Sequence, residues 1–400
     1  MDRPLLQNAK SEIADKKRNS LRKKAWFSLG LWQHPRLRKD WTTLHDEDDQ
    51  HVQSLNAFFD TMFAFAISHL GFSVRAGQDL ASMLHWGQRF GIYLSLWLST
   101  VDYSSRFDND DVPHKAFWSL YGIGALGMMI HGTGGSQSPN SCILSLCMGY
   151  LYTLLALHYY RNAFHLPSCR IFCVIRGSVH LCCSILAIVA YGNLGIQELV
   201  FWLLTCAYPI SLAILFAGRE VRFRIWYKHL AREDAMKLLD PPYHIEFHIG
   251  RLSSFTMMVL GQLALATAIH PEEGFANPKG LYSSVVFAFV VLLSMKLFLF
   301  DVDYYETEDH ALSRSWIRGI IWRMLFPFGV AGIANLGTGV ALLIGVVGKS
   351  QPPVDEDFAR GIACFSLSVF LLVGAIQKKL HRVPYTKLME DSGHDGQAQI

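Results

Sequence analysis

About ten apolar segments, each near twenty residues long, run through the chain, and several carry a charged or imidazole side chain inside. A hydrocarbon layer about 30 Å thick needs about 20 helical residues to cross it, and the crossing backbone must satisfy its own polar groups. The pattern predicts an all-α integral membrane protein, a polytopic bundle of about ten transmembrane helices. Composition agrees: 51% of the residues are hydrophobic and only 17% charged, a balance that a soluble domain of this size rarely shows. The net charge of +3 is close to neutral, and nucleic acid is not an expected partner.

The spans read as 55–74, 89–103, 114–133, 141–160, 171–191, 199–217, 252–270, 281–300, 320–347 and 361–376. The ninth contains Pro327, with Gly329, Gly332, Gly337 and Gly339 downstream, which predicts a kinked or locally opened helix. Lys and Arg number eleven before the first span, seven between Gly218 and Arg251, and four after the last, while the intervening loops on the other side hold few. By the positive-inside rule both termini are cytoplasmic. The organisation expected is a basic cytoplasmic tail over 1–50, a transmembrane domain over 51–380 and a cytoplasmic tail over 381–400, with no cleaved signal peptide because no apolar run follows Met1 closely. The run VRFRIWYKHL reads as an interfacial amphipathic helix anchored by Trp226 and Tyr227. All eight cysteines lie in or beside apolar segments and read as reduced, packed thiols.

An ionisable group at bilayer depth is costly and has a partner or a task, so the candidate site is sought among these residues. Asp60 stands about a turn inside the first span, where a buried carboxylate pairs with a cation or takes up a proton. Asp102 and Arg106 are four apart at the end of the second span and share a helix face. His244 and His248, also four apart, precede Arg251 at the start of the seventh, and Gln262 lies midway through it. With no third ligand in sequence, the two imidazoles read as a hydrogen-bonded interfacial pair more readily than as a metal site. Arg318, Arg323 and Lys296 are the expected cationic partners of Asp60, Asp102 and Asp301. His180, one turn after Arg176, reads as a satisfied core imidazole. Two acidic runs, DNDD with Asp108 and Asp111, and DVDYYETED with Asp301 and Asp303, share the cytoplasmic side. Hard oxygen ligands of this kind suit Mg²⁺ or Ca²⁺.

Around these residues the chain resembles the bacterial low temperature requirement A (LtrA) family, whose members also occur in fungi. The resemblance is carried by FFD ending in Asp60, RFD from Arg106 to Asp108, Arg251 leading through VLG to Gln262, LFLFD ending in Asp301, and GIANLG from Gly332 to Gly337. It covers about His51 to Val347. Asn56, Gly250 and Gln262 stand where the family pattern has glutamates, and His248 is offset by one residue from the family histidine, which implies a divergent member. The resemblance implies a polytopic helical fold and brings no established biochemical activity with it.

Three functions compete. The first is transport of a small solute or ion along a polar path made by Asp60, Asp102, Arg106, His248, Arg251, Gln262, Asp301 and Arg323. The second is a membrane-embedded enzyme acting on a lipid or isoprenoid diphosphate, with Mg²⁺ held by Asp108, Asp111, Asp301 and Asp303; no other cofactor is expected. The third is a non-catalytic assembly protein whose polar groups pair internally. The expected partners are membrane lipids and the small solute or ion, with a homo-oligomer left open.

Overall fold

The computed structural model describes residues 35–37, 49–108, 112–133, 138–230, 239, 241, 244–268, 278–301, 310–348 and 354–381. The expectations for residues 382–400, for most of the N-terminal tail and for Asp111 and Asp303 lie outside the described residues. The helices are α1 Asp49–Gly77, α2 Leu80–Arg106, α3 Val112–His131, α4 Pro139–His165, α5 Arg170–Gly192, α6 Leu194–Thr205, α7 Ala207–Ala217, α8 Ile245–Ala268, α9 Pro278–Lys296, α10 Trp316–Gly348 and α11 Glu356–Leu380. The only strand pairing among the described residues is a two-residue antiparallel one of β1 Arg36–Leu37 with β2 Phe107–Asp108. Over its described residues each predicted span lies on helix, give or take a residue or two at its ends, α6 and α7 together covering the sixth.

Helix ends follow local chemistry. Asp79 caps α2: its carboxylate accepts from the Ser82 amide at 2.7 Å while its own amide donates to the Ser82 hydroxyl at 3.2 Å, a reciprocal box that satisfies two otherwise orphaned donors. Just before it, Gln78 takes a left-handed φ of 49°, the conformation that closes α1. Ser138 accepts from the Ser141 amide at 3.2 Å, and Pro139 opens α4 where a missing N–H leaves nothing unsatisfied.

The interruption of a span lies elsewhere than Pro327. α10 runs as continuous helix through Pro327, so the locally opened backbone expected there is not seen. The sixth span, by contrast, is broken at Cys206, where α6 and α7 bend by 56°. Pro209, in the first turn of α7, has no amide to bond the Thr205 carbonyl and so starts a new helix. The break is held from α2: the Tyr208 amide donates to Ser95 Oγ at 2.7 Å, and the Thr205 hydroxyl donates to the Gln88 carbonyl at 3.0 Å.

Among the described residues six helical stretches are long and apolar enough to cross a membrane, among them Asn56–Gly77, Ile317–Val347 and Glu356–Leu380, and the bent α6–α7 pair makes a seventh if it counts as one span. The outer surface suits lipid, with Val286, Phe287, Phe289 and Val290 of α9 all well exposed. The two most extensive helix pairs are α4 with α5 and α10 with α11. In the second pair small residues let the backbones meet: a Cβ on Gly332 would lie 3.0 Å from the Phe370 amide nitrogen, and one on Gly339 2.8 Å from that of Ala363. α2 is the central helix, buried almost without interruption from Trp86 to Arg106. Polar residues on it have no water to turn to, and they define the site.

Candidate functional site

Two buried ion-pair clusters occupy one end of the bundle, each assembled from helices distant in sequence. In the first, the Asp60 carboxylate of α1 receives the Arg251 guanidinium of α8, through Nη2 to Oδ1 and through Nε to Oδ2 at 3.2 Å. Trp97 Nε1 of α2 donates to the same Oδ1 at 2.7 Å, and Arg251 Nη1 donates to Ser104 Oγ at 2.7 Å. Three helices are tied at one point. The Trp97 ring stacks on Phe255, centroids 3.8 Å apart, which holds its N–H toward Asp60.

The second cluster centres on Asp102 of α2, which has no exposed surface. Its Oδ2 accepts from Arg176 of α5, and Arg176 also donates to Ser211 Oγ of α7. Its Oδ1 has Arg106 Nε at 3.7 Å and Arg323 Nη1 of α10 at 3.6 Å, too far for a hydrogen bond with either. Among the described residues that buried oxygen accepts no hydrogen bond. The cations are padded by aromatic faces, with Arg106 4.7 Å from the Phe172 ring centroid and Arg323 6.0 Å from that of Phe216. One carboxylate thus serves guanidiniums from three helices. Arg176 and Arg323 lie about two turns into α5 and α10, and Asp102 about one turn before the end of α2, so the groups meet at one level only if neighbouring helices alternate in direction.

Imidazoles border the layer. The His244 amide donates to the Ser105 carbonyl at 2.9 Å, and its Nδ1 accepts from the Phe247 amide at 3.0 Å, capping α8. His248 Nδ1 lies 3.1 Å from Ser105 Oγ, so both histidines meet the end of α2. His310 Nδ1 accepts from the Leu312 amide at 3.2 Å and His381 Nδ1 from the Ala311 amide at 3.1 Å, with the rings 4.4 Å apart. Burial, and then His381, push the His310 imidazole down to about 3, so it stays neutral and able to accept. Beside these histidines is a cavity of about 330 Å³ between α8, α10 and α11, apolar in its depth at Phe326, Val330, Ile333 and Phe370 and polar near His310, Gln377 and His381.

A family model described as bacterial low temperature requirement A protein (LtrA) matches residues 51–389. The chain belongs to the LtrA family. The match begins where the sequence likeness begins and runs beyond Val347 through α11. No match is found among curated proteins or solved structures.

In this LtrA-family chain the structure brings together Asp60 with Arg251, Asp102 with Arg106 and Arg323, and places His248 beside them. It does not bring in Gln262, half-buried about three turns beyond Arg251 along α8. Asp301 closes a π turn, Leu297–Asp301, after α9, and Asp108 pairs in register with Arg36; only their backbones are described. Among the described residues no group of three or more His, Cys, Asp or Glu is placed to hold a metal. Asp60 takes its cation from Arg251, not from Lys296, Arg318 or Arg323. Sequence reasoning missed Arg176 as the hydrogen-bonded partner of Asp102; the signal was a guanidinium in the apolar run IFCVIRGSVHLCC, which itself required a carboxylate from another helix.

Proposed function

We propose that this chain is a ten-span membrane protein with both termini cytoplasmic that moves a small solute or ion, and that the Asp102 cluster is its switch. The carrying observation is the buried Asp102 Oδ1, held 3.6–3.7 Å from two guanidiniums and hydrogen-bonded to neither. Alternative pairings of that oxygen with α2 or α10 differ little in geometry, and a packed interface with two close arrangements is what converts binding at one site into movement of helices. α10 is suited to move there. Pro327 removes the amide that would bond the Arg323 carbonyl one turn earlier, so a bend at that turn repositions Arg323. Polar groups facing a bundle interior next to interrupted helices are characteristic of transporters.

The orientation is supported by the Lys/Arg asymmetry and by the single level at which the charged ends of α1, α2, α5, α8 and α10 meet. Single cysteines introduced at Gly195 and at Arg224 should label from opposite sides of sealed vesicles; labelling from the same side would overturn it. For transport, the protein is reconstituted into liposomes, and currents on a solid-supported membrane are recorded after jumps of KCl, NaCl, sodium formate and sodium phosphate, with stopped-flow swelling in urea and glycerol for neutral solutes. The expected result is flux of at least one probe above protein-free vesicles, lost in Arg323→Gln. Protein-free rates for every probe, together with no proton entry, would sink the reading.

A second reading has its own observation. The cavity between α8, α10 and α11 is apolar in depth with a polar rim at one end, a shape that suits a lipid chain. On that reading Mg²⁺ at Asp108, Asp111, Asp301 and Asp303 would assist chemistry on a phosphorylated head group. A magnesium-dependent rise in melting temperature with an isoprenoid diphosphate, without flux in the assays above, would put it ahead.

A further inference from the structure

A second group of buried polar side chains lies deeper than the ion pairs and is not used by them. His180 of α5 is 2% exposed, and neither Nδ1 nor Nε2 has a hydrogen-bond partner among the described residues. The satisfied core imidazole expected from the sequence is therefore buried but unsatisfied. Its ring stacks between Tyr159, centroids 5.4 Å apart, and Tyr152 at 6.0 Å. The buried hydroxyls of both tyrosines also lack hydrogen-bond partners, although Arg176 is close to one and Ser95 to the other. Ser95 is the residue that receives the Tyr208 amide at the break between α6 and α7. Irregular backbone at membrane depth is tolerated against protein or a wet cavity, and unsatisfied buried groups call for water, an ion or a functional role.

Further polar groups lie toward both ends of the bundle. Toward one end, Arg176 lies over the Tyr159 ring, 5.8 Å from its centroid, and pairs with Asp102. Toward the other, Gln197 Nε2 donates to Ser145 Oγ at 3.2 Å, Arg89 Nη2 donates to Ser141 Oγ at 2.8 Å and Gln88 Nε2 donates to the Glu198 carboxylate at 2.8 Å. Ser145 and Tyr152 are two turns apart on one face of α4, about 10 Å, and the fully buried Met148 lies between them on that face.

We propose that His180 is the proton carrier of this bundle and that the transported ion is, or moves with, a proton. This rests on the transport reading and names its substrate. Water molecules at the ring nitrogens and at the tyrosine hydroxyls supply the other donors and acceptors. The lone pair of the unprotonated ring nitrogen takes a proton from water on the Asp102 side, and the opposite N–H then releases its proton to water on the far side. The imidazole left behind is the other neutral tautomer, and rotation of the ring restores the first. The charges around it are compatible: Arg176, one turn earlier on α5, is countered by Asp102 of α2, while α4 presents Tyr152 and Tyr159, α5 itself Cys183, and α7 Tyr208. Glu198 of the neighbouring α6 is turned to Gln88 and His85. Met148 closes the route toward Ser145, so conduction is gated.

The experiment uses the full chain in liposomes loaded with a pH-sensitive dye, with an inside-negative potassium diffusion potential set by valinomycin. Wild type should acidify the lumen faster than protein-free vesicles, and His180→Gln, which keeps polarity without a titratable group, should lower that rate at least tenfold at unchanged melting temperature. Tyr159→Phe is the second variant, expected to slow proton entry several-fold, and it decides the matter if His180→Gln does not fold. Proton entry in both variants equal to wild type would overturn the proposal. Salt or solute flux in wild type with no proton entry would overturn it and leave the transport reading standing; absence of both fluxes would end both.

Discussion

Replacing Asp60 with leucine should destabilise the protein by about 3–5 kcal/mol, the usual loss when one partner of a buried ion pair is removed and the other charge stays behind. Arg251, 5% exposed, would lose both guanidinium contacts to carboxylate oxygens, and Trp97 would lose the acceptor that fixes its indole. The Asp60→Leu, Arg251→Met double variant should recover much of the loss, because no uncompensated charge then remains. Asp110→Asn, in the acidic run read from the sequence as a solvated loop, should change little. Thermal melts followed by size-exclusion chromatography in detergent measure all three. A harmless Asp60→Leu change, or a double variant worse than the single, would show that the pair does not hold α1 to α8.

How much of this was legible in the sequence depends on the length scale of the signal. Helices announce themselves because an apolar stretch of membrane thickness has no alternative to helix, and over their described residues all ten predicted spans lie on helix, give or take a residue or two at their ends. α2, α3 and α8 fall outside the six stretches that are long and apolar enough to cross among the described residues. For α2 and α8 the reason is their polar content: Arg89, Asp102 and Arg106, or His248 and Arg251, lower their apolarity and lie buried in the bundle interior. Such helices are central because they are less apolar.

Pairing was less legible. Asp102 with Arg106 could be read from an i, i+4 spacing, since one helix sets that distance. Asp60 with Arg251 and Asp102 with Arg176 depend on which helices pack, and nothing local encodes it. The break at Cys206 was signalled by Pro209 and went unread because the surrounding run is uniformly apolar, whereas Pro327, followed by glycines, attracted the expectation of an opening while α10 continues through it. Proline takes away one hydrogen bond in either place; neighbours decide the outcome. At Cys206, Ser95 receives the Tyr208 amide, so the new helix start is satisfied where it stands.

The largest loss is expected at Asp102. Asp102→Asn keeps the shape and removes the charge, leaving Arg176, Arg106 and Arg323 gathered in the interior without the carboxylate between them. Removal of one partner already costs about 3–5 kcal/mol. The three guanidiniums left around one site then repel one another without the carboxylate between them, so the loss should exceed that of Asp60→Leu and expression of folded protein should fall sharply. Arg176→Met removes the guanidinium that is hydrogen-bonded to Asp102 Oδ2, and a cycle combining the two changes should report coupling at the upper end of the usual range, about 3 kcal/mol. If Asp102→Asn folds well but loses flux, the cluster is a switch whose pairings serve movement more than stability. If it folds well and transports as wild type, Oδ1 does not mediate the competition between Arg106 and Arg323, and the switch proposed for α10 fails with it.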